Sequence, residues 1–149
     1  MLSRLGDTVL ASLPYGAITQ DSATREVSAV FFNYPGDMGR QGVGSELTYA
    51  ATRALADRGP ARRVRHTVAG LTPGTVFAVE QIDWDHGNVA EAWHRMGEPL
   101  NLTPAQTAEL RESADALRLT ALTVSGEGVL DIDLELPPWA VLSIAPARG

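Results

Sequence analysis

Residues 81–99 read QIDWDHGNVAEAWHRMGEP, a stretch that joins the end of a strand to a short helix. In the residues that lead into it, TVFAVEQIDW (75–84), Val76, Ala78, Glu80 and Ile82 fall on one face and Phe77, Val79, Gln81 and Asp83 on the other. That period of two marks a half-buried strand. Beyond it, Asn88 with Glu91 three residues on has the form of a capping box, and Val89, Trp93 and Met96 recur at i, i+4 and i+7. A short helix that buries this stripe and stops at Gly97, before the Glu98-Pro99 break, is therefore expected. With Trp93 a fully buried anchor, Trp93→Ala would cost about 3 to 5 kcal/mol.

Two of the three tryptophans and two of the three histidines lie in this stretch. Asp83, Asp85, His86, Glu91 and His94 have the side chains of an acid–base site. Asp83, Asp85, His86 and Asn88 serve equally to cap amides and tie strand to helix. The structural use is the preferred reading.

Working outward, residues 63–69, RVRHTVA, set Val64, His66 and Val68 against Arg63, Arg65 and Thr67. They read as a half-buried strand with His66 as a hydrogen-bonded core residue. The turn Leu71-Thr72-Pro73-Gly74 joins it to the next strand in what reads as a hairpin-like pair. Downstream, Thr103-Pro104-Ala105-Gln106 is a second capping box with Pro at N1, opening a helix with Leu110, Ala114 and Leu117 as its apolar stripe. Three strands follow, at 119–124, 129–136 and 139–144; the middle one, VLDIDLEL, alternates without a fault.

Upstream, residues 2–13 suggest a helix tail ending near Gly6 and then a strand from Thr8. A short strand before Asp21 and a strand over 26–33, EVSAVFFN, come next, the run AVFF suggesting burial on both faces. The Gly-rich residues 34–45 read as a loop, and 46–57 as a helix capped by Ser45, with Leu47, Ala51, Ala54 and Leu55 as its stripe. The sum is a mainly β fold: an antiparallel β-sandwich with two or three short helices at its side or end, one domain over 1–149.

Composition narrows the function. With no cysteine, the 149 residues hold no disulfide or thiolate site. A net charge of -6 repels nucleic acid and anionic membranes, and no apolar run is long enough to span a bilayer. No signal peptide is read in residues 1–16, which favours a cytoplasmic location. All basic residues are Arg, and five of them (Arg53, Arg58, Arg62, Arg63, Arg65) crowd one stretch, read as a solvated face answering acidic neighbours.

Gly42-Val43-Gly44 lacks the pattern of a phosphate loop, and no G-x-S-x-G elbow is present. His86 and His94 straddle a helix start, eight residues apart, a poor spacing for zinc. The row Asp131, Asp133 and Glu135 is explained by a solvated strand face. No catalytic, cofactor or metal-ligating residue is assigned. Trp84 and Trp139 are candidate sugar-stacking platforms.

The order and spacing of these residues resemble a known family. Ile82-Asp83, His86-Gly87-Asn88, Trp93, Met96-Gly97, Glu98-Pro99, Thr103-Pro104, Gln106 and Leu110 are similar to the C-terminal segment of family 39 glycoside hydrolases, the β-xylosidases and α-L-iduronidases. Residues 2–10, Phe32-Asn33-Tyr34 and the closing strands resemble other parts of that segment, while 35–60 do not match. In that family the two catalytic glutamates sit on an N-terminal (β/α)8 barrel, which takes roughly 250 residues. The resemblance therefore implies no catalytic residue here. It implies an accessory β-sandwich that packs on a barrel and shapes oligomers or the rim of the active site, with 1–6 as the tail of a barrel helix. The structural signature would be Asp83, His86, Asn88, Trp93, Met96, Gly97 and Pro99. Two other readings are a carbohydrate-binding module using Trp84 and Trp139, and a free-standing small enzyme using Asp83, Asp85 and His86.

Overall fold

The alternation of VLDIDLEL sets the core: Leu130, Ile132 and Leu136 are buried and Leu134 half-buried, while Asp131, Asp133 and Glu135 face out. The computed structural model describes residues 5–34, 48–57 and 59–147. In chain order these form β1 (Thr8–Leu13), β2 (Gly16–Gln20), β3 (Val27–Phe32), α1 (Tyr49–Ala56), β4 (Arg62–Ala69), β5 (Val76–Ile82), α2 (Ala90–Arg95), α3 (Pro104–Asp115), β6 (Arg118–Thr123), β7 (Val129–Leu136) and β8 (Val141–Pro146). Six strands make one antiparallel sheet in the order β1-β2-β3-β8-β5-β6, and β4 and β7 pair as a second one. The fold is the expected antiparallel sandwich with short helices.

The inner faces of the two sheets meet over Phe31, Val64, Val79, Leu136, Leu142 and Ile144, all buried in one cluster. His66 sits among them: its ring stacks on Phe31 with centroids 5.7 Å apart, and its Nε2 lies 3.2 Å from the Tyr15 hydroxyl. That is the hydrogen-bonded core histidine expected from its place on the apolar side of the strand.

Several sequence expectations are corrected. The strands on either side of Leu71–Gly74 are not a hairpin: β4 pairs with β7, and β5 with β6 and β8. Beside β7 the polar face of β4 meets its complement, with Arg63 and Arg65 against Asp133 and Thr67 against Asp131, while both apolar faces still turn to the core. The turn between them crosses from one sheet to the other, with Gly70 and Gly74 at φ of +79° and +78°. In β3 the inward residues Val27, Ala29 and Phe31 are buried throughout; on the other face Ser28 is buried, Val30 half-buried and Phe32 exposed. The last strand starts at Val141, because Trp139 lies in a turn with a positive φ.

The first helix begins at Tyr49, where Thr48 Oγ1 accepts the Ala51 N–H (3.2 Å). Ala51 and Ala54 are exposed and do not form a buried stripe. Ser45, Leu47, the loop expected at 35–45 and the start of the expected helix tail at 1–4 lie outside the described residues, and Leu5 and Gly6 are not helical. In α3 the Thr103/Gln106 capping box is present. Its stripe is shallower than expected: Ala114 is exposed, Leu110 and Leu117 half-buried.

The charged rows on β4 and β7 answer each other. Arg63 binds Asp133 through two bonds of 2.6 and 2.7 Å, Arg65 approaches the same carboxylate, and Thr67 donates to Asp131. Arg53 turns instead to Asp57 and Asp85, and Arg62 lies over the Tyr15 ring. The described arginines of the crowded stretch are thus dispersed among partners and form no basic patch.

Candidate functional site

The corner after β5 is built around Asp83, which is 8% exposed. Its Oδ2 accepts from Gln81 Nε2 at 2.6 Å; its Oδ1 accepts from the backbone N–H groups of Asp85 and His86, each at 2.9 Å, and faces His86 Nδ1 at 2.8 Å. Asp83 N–H in turn donates to the His86 carbonyl, closing a tight turn. Burial alone would push the Asp83 carboxyl up, but the donors from Gln81, His86 and Asp85 together hold it below its ordinary value. A carboxylate so occupied is a turn organiser, with both oxygens committed inside the protein.

Gly87 carries the chain on at φ +68°, where an added Cβ would lie 2.7 Å from the Leu117 side chain. Its N–H donates to Ala116, and Ser113 Oγ to the Asn88 carbonyl, so the corner is tied to the end of α3. Asn88 bridges within the corner: Nδ2 donates to the Trp84 carbonyl and Oδ1 accepts the Ala90 N–H. The expected capping box is not formed. The N-cap of α2 is Val89, whose apolar side chain makes no bond; Asn88 Oδ1 is taken by the Ala90 N–H, and the Glu91 carboxylate accepts from the Tyr49 hydroxyl.

The buried stripe of α2 is also shifted: Ala92 is buried, Trp93 and Met96 half-buried, and Val89 exposed. Trp93 Nε1 donates to the Pro99 carbonyl at 3.2 Å. The helix ends as expected at Gly97, with φ +82°; Gly97 N–H bonds to the His94 carbonyl and Glu98 N–H to that of Trp93, the paired bonds of a Schellman cap. Since Trp93 is only half-buried, Trp93→Ala is expected to cost about 2 kcal/mol in urea unfolding, short of the value for a fully buried aromatic.

Two residues of this corner had not been anticipated. Tyr49 and Arg53, one turn apart on α1, lie over it: the Tyr49 ring stacks on His94 at 3.8 Å, and Arg53 reaches Asp85 at 3.0 Å while sitting 5.2 Å above Trp84. Their i, i+4 spacing is the signal in the sequence. Trp84 is half-buried beneath them.

Trp139 lies in the turn that leads into β8, with φ +63°, a strained conformation for a non-glycine residue. Tyr34 meets it edge-on at 4.8 Å. Asn33 holds the turn: its carbonyl accepts the Trp139 N–H, and Nδ2 donates to the Pro60 and Leu136 carbonyls. Phe32, Asn33, Tyr34, Trp139, Ala140 and Val141 line an open recess of about 420 Å³. Its walls are aromatic and aliphatic, and the Asn33 amide nitrogen is already used inward. Among the described residues no three His, Asp or Glu side chains gather as metal ligands.

No family model and no curated protein matches the chain. Among solved structures it is similar to the GH39 enzyme from Xanthomonas axonopodis pv. citri, with 20% identity and a TM-score of 0.59, over 93% of this chain and 27% of that one. A monomeric beta-xylosidase from Caulobacter crescentus CB15 matches at 20% identity and a TM-score of 0.51, over 92% and 27%. A GH39 beta-xylosidase from Caulobacter crescentus matches at 14% identity and 0.56, over 90% and 23%. These likenesses establish the fold, and the chain spans about a quarter of the length of the enzymes it matches.

Proposed function

We propose that this chain is a non-catalytic accessory β-sandwich of a family 39-like glycoside hydrolase, a single domain that packs on a catalytic (β/α)8 barrel and supports it in the breakdown of β-xylosides. The observation that carries the reading is the lopsided coverage: nine tenths or more of this chain matches, against 23 to 27% of each glycosidase. The occupied Asp83 carboxylate supports it, since the acid–base side chains at the end of β5 spend that carboxylate's bonds on their own turn. The test is the coding sequence on either side of this chain. An in-frame or adjacent barrel with two carboxylates across its C-terminal face is the expected finding; neighbours without one would sink the reading.

A second reading rests on the Trp139 recess, whose aromatic walls suit the flat face of a sugar ring. Calorimetric titration with xylose and xylo-oligosaccharides decides it: heat that disappears in Trp139→Ala supports a carbohydrate-binding module, and no heat removes it.

A further inference from the structure

The two outward faces of the sandwich are unlike. On the small sheet Arg63, Arg65, Asp131, Asp133 and Glu135 point outward, and salt bridges lace the face. On the six-stranded sheet the cross-strand register sets Ser12, Ala17, Val30, Ser143, Glu80 and Leu119 in one continuous outward row, with Thr19 and Ser28 on the same face; Thr19, Ser28 and Ser143 are buried, Ser143 donating to Glu80 at 3.4 Å. A neighbouring row holds Phe32, Val141 and Ile82, and Glu80 is the one charged residue facing out among the described residues of that sheet. Val9 is 62% exposed, Phe32 39% and Leu119 68%. A sheet face meant for water carries charged side chains, as the small sheet does; one with a single charge among small, aliphatic and hydroxyl side chains suits another layer of protein.

Resting on the accessory reading above, we infer that the outward face of the six-stranded sheet is the surface that docks the catalytic barrel, receiving helices of its outer ring. Three observations select that occupant. Small side chains in mid-sheet (Ala17, Ala78, Ala145) let a helix approach closely, and a (β/α)8 barrel presents helices on its outside. The patch, six strands wide and about five residues tall, covers about 400 Å². Counting both sides, that matches the roughly 600 to 1,500 Å² of contacts between domains of one enzyme, and falls below the roughly 2,000 Å² or more of obligate homodimers. The enzymes with this fold also carry about three quarters of their length outside the matched part.

Because the chain has no cysteine, the surface can be mapped with single thiols. Leu119→Cys and Phe32→Cys report the six-stranded sheet; Ala69→Cys and Glu135→Cys report the small one. Maleimide labelling of each, read by mass on this chain, is measured with the chain alone and with the barrel encoded in frame or beside it. The expected result is at least tenfold slower labelling at Leu119→Cys and Phe32→Cys when the barrel is present, with Ala69→Cys and Glu135→Cys unchanged. Protection of the small sheet instead, or of neither face in a complex that copurifies, overturns the inference while leaving the accessory reading standing. Protection of Leu119→Cys that rises with concentration of the chain alone assigns the face to a second copy, and also overturns it. The coding sequence tests the accessory reading separately: with no barrel encoded, both fall.

Discussion

Phe31→Ala is expected to lower the unfolding free energy by about 3 to 5 kcal/mol, a large part of the roughly 5 to 15 kcal/mol that holds a domain together. Phe31 is fully buried, packs on the stacked His66 ring, and touches Tyr15 as well, so truncation opens a cavity where both sheets meet. Its neighbour supplies the control. Phe32 points to the other side of the same strand and is 39% exposed, and Phe32→Ala should cost less than about 1 kcal/mol. A slip of one residue in the register of β3 exchanges the two outcomes. Urea unfolding of both variants, with an unchanged dependence on denaturant, measures the difference; equal costs would contradict the register.

Asp83→Ala should cost about 3 kcal/mol and loosen the corner between β5 and α2. The substitution strips an acceptor from Gln81, from two backbone N–H groups and from His86 at once, and a buried donor left unmade costs about 1 to 3 kcal/mol. The same bonds set a pH dependence. The carboxyl is held below its ordinary value in the folded protein, so its contribution is fully present above about pH 4 and is lost as the pH falls through the folded value. Stability of the wild type should therefore fall more steeply in acid than that of Asp83→Ala, the two converging at low pH. Parallel acid profiles would mean that Asp83 carries no such linkage.

What was legible beforehand follows from the range of the interactions. The alternation of β7, the Thr103/Gln106 box and the Gly97 stop are decided within a few residues, and each is found where its local pattern puts it. The partner of β4 is decided by the far side of the core. A turn rich in Gly and Pro looks the same whether it closes a hairpin or crosses between sheets. The corner was legible as a place, from its crowd of Asp, His and Asn, but its bonds were not: Asn88 ties Trp84 to Ala90, and Glu91 meets a tyrosine 42 residues away, a contact no local rule contains. The helix α1 meets the corner through Tyr49 and Arg53, which a search for an apolar stripe passes over.

The central claim, that this sandwich is an accessory and its acid-rich corner a structural joint, is tested most directly by assaying the purified chain alone on aryl β-xylosides. The expected result is no turnover above buffer, with Asp83→Asn changing stability and nothing else. Turnover that survives repurification, tracks this protein, and vanishes in a folded Asp83→Asn variant would contradict it.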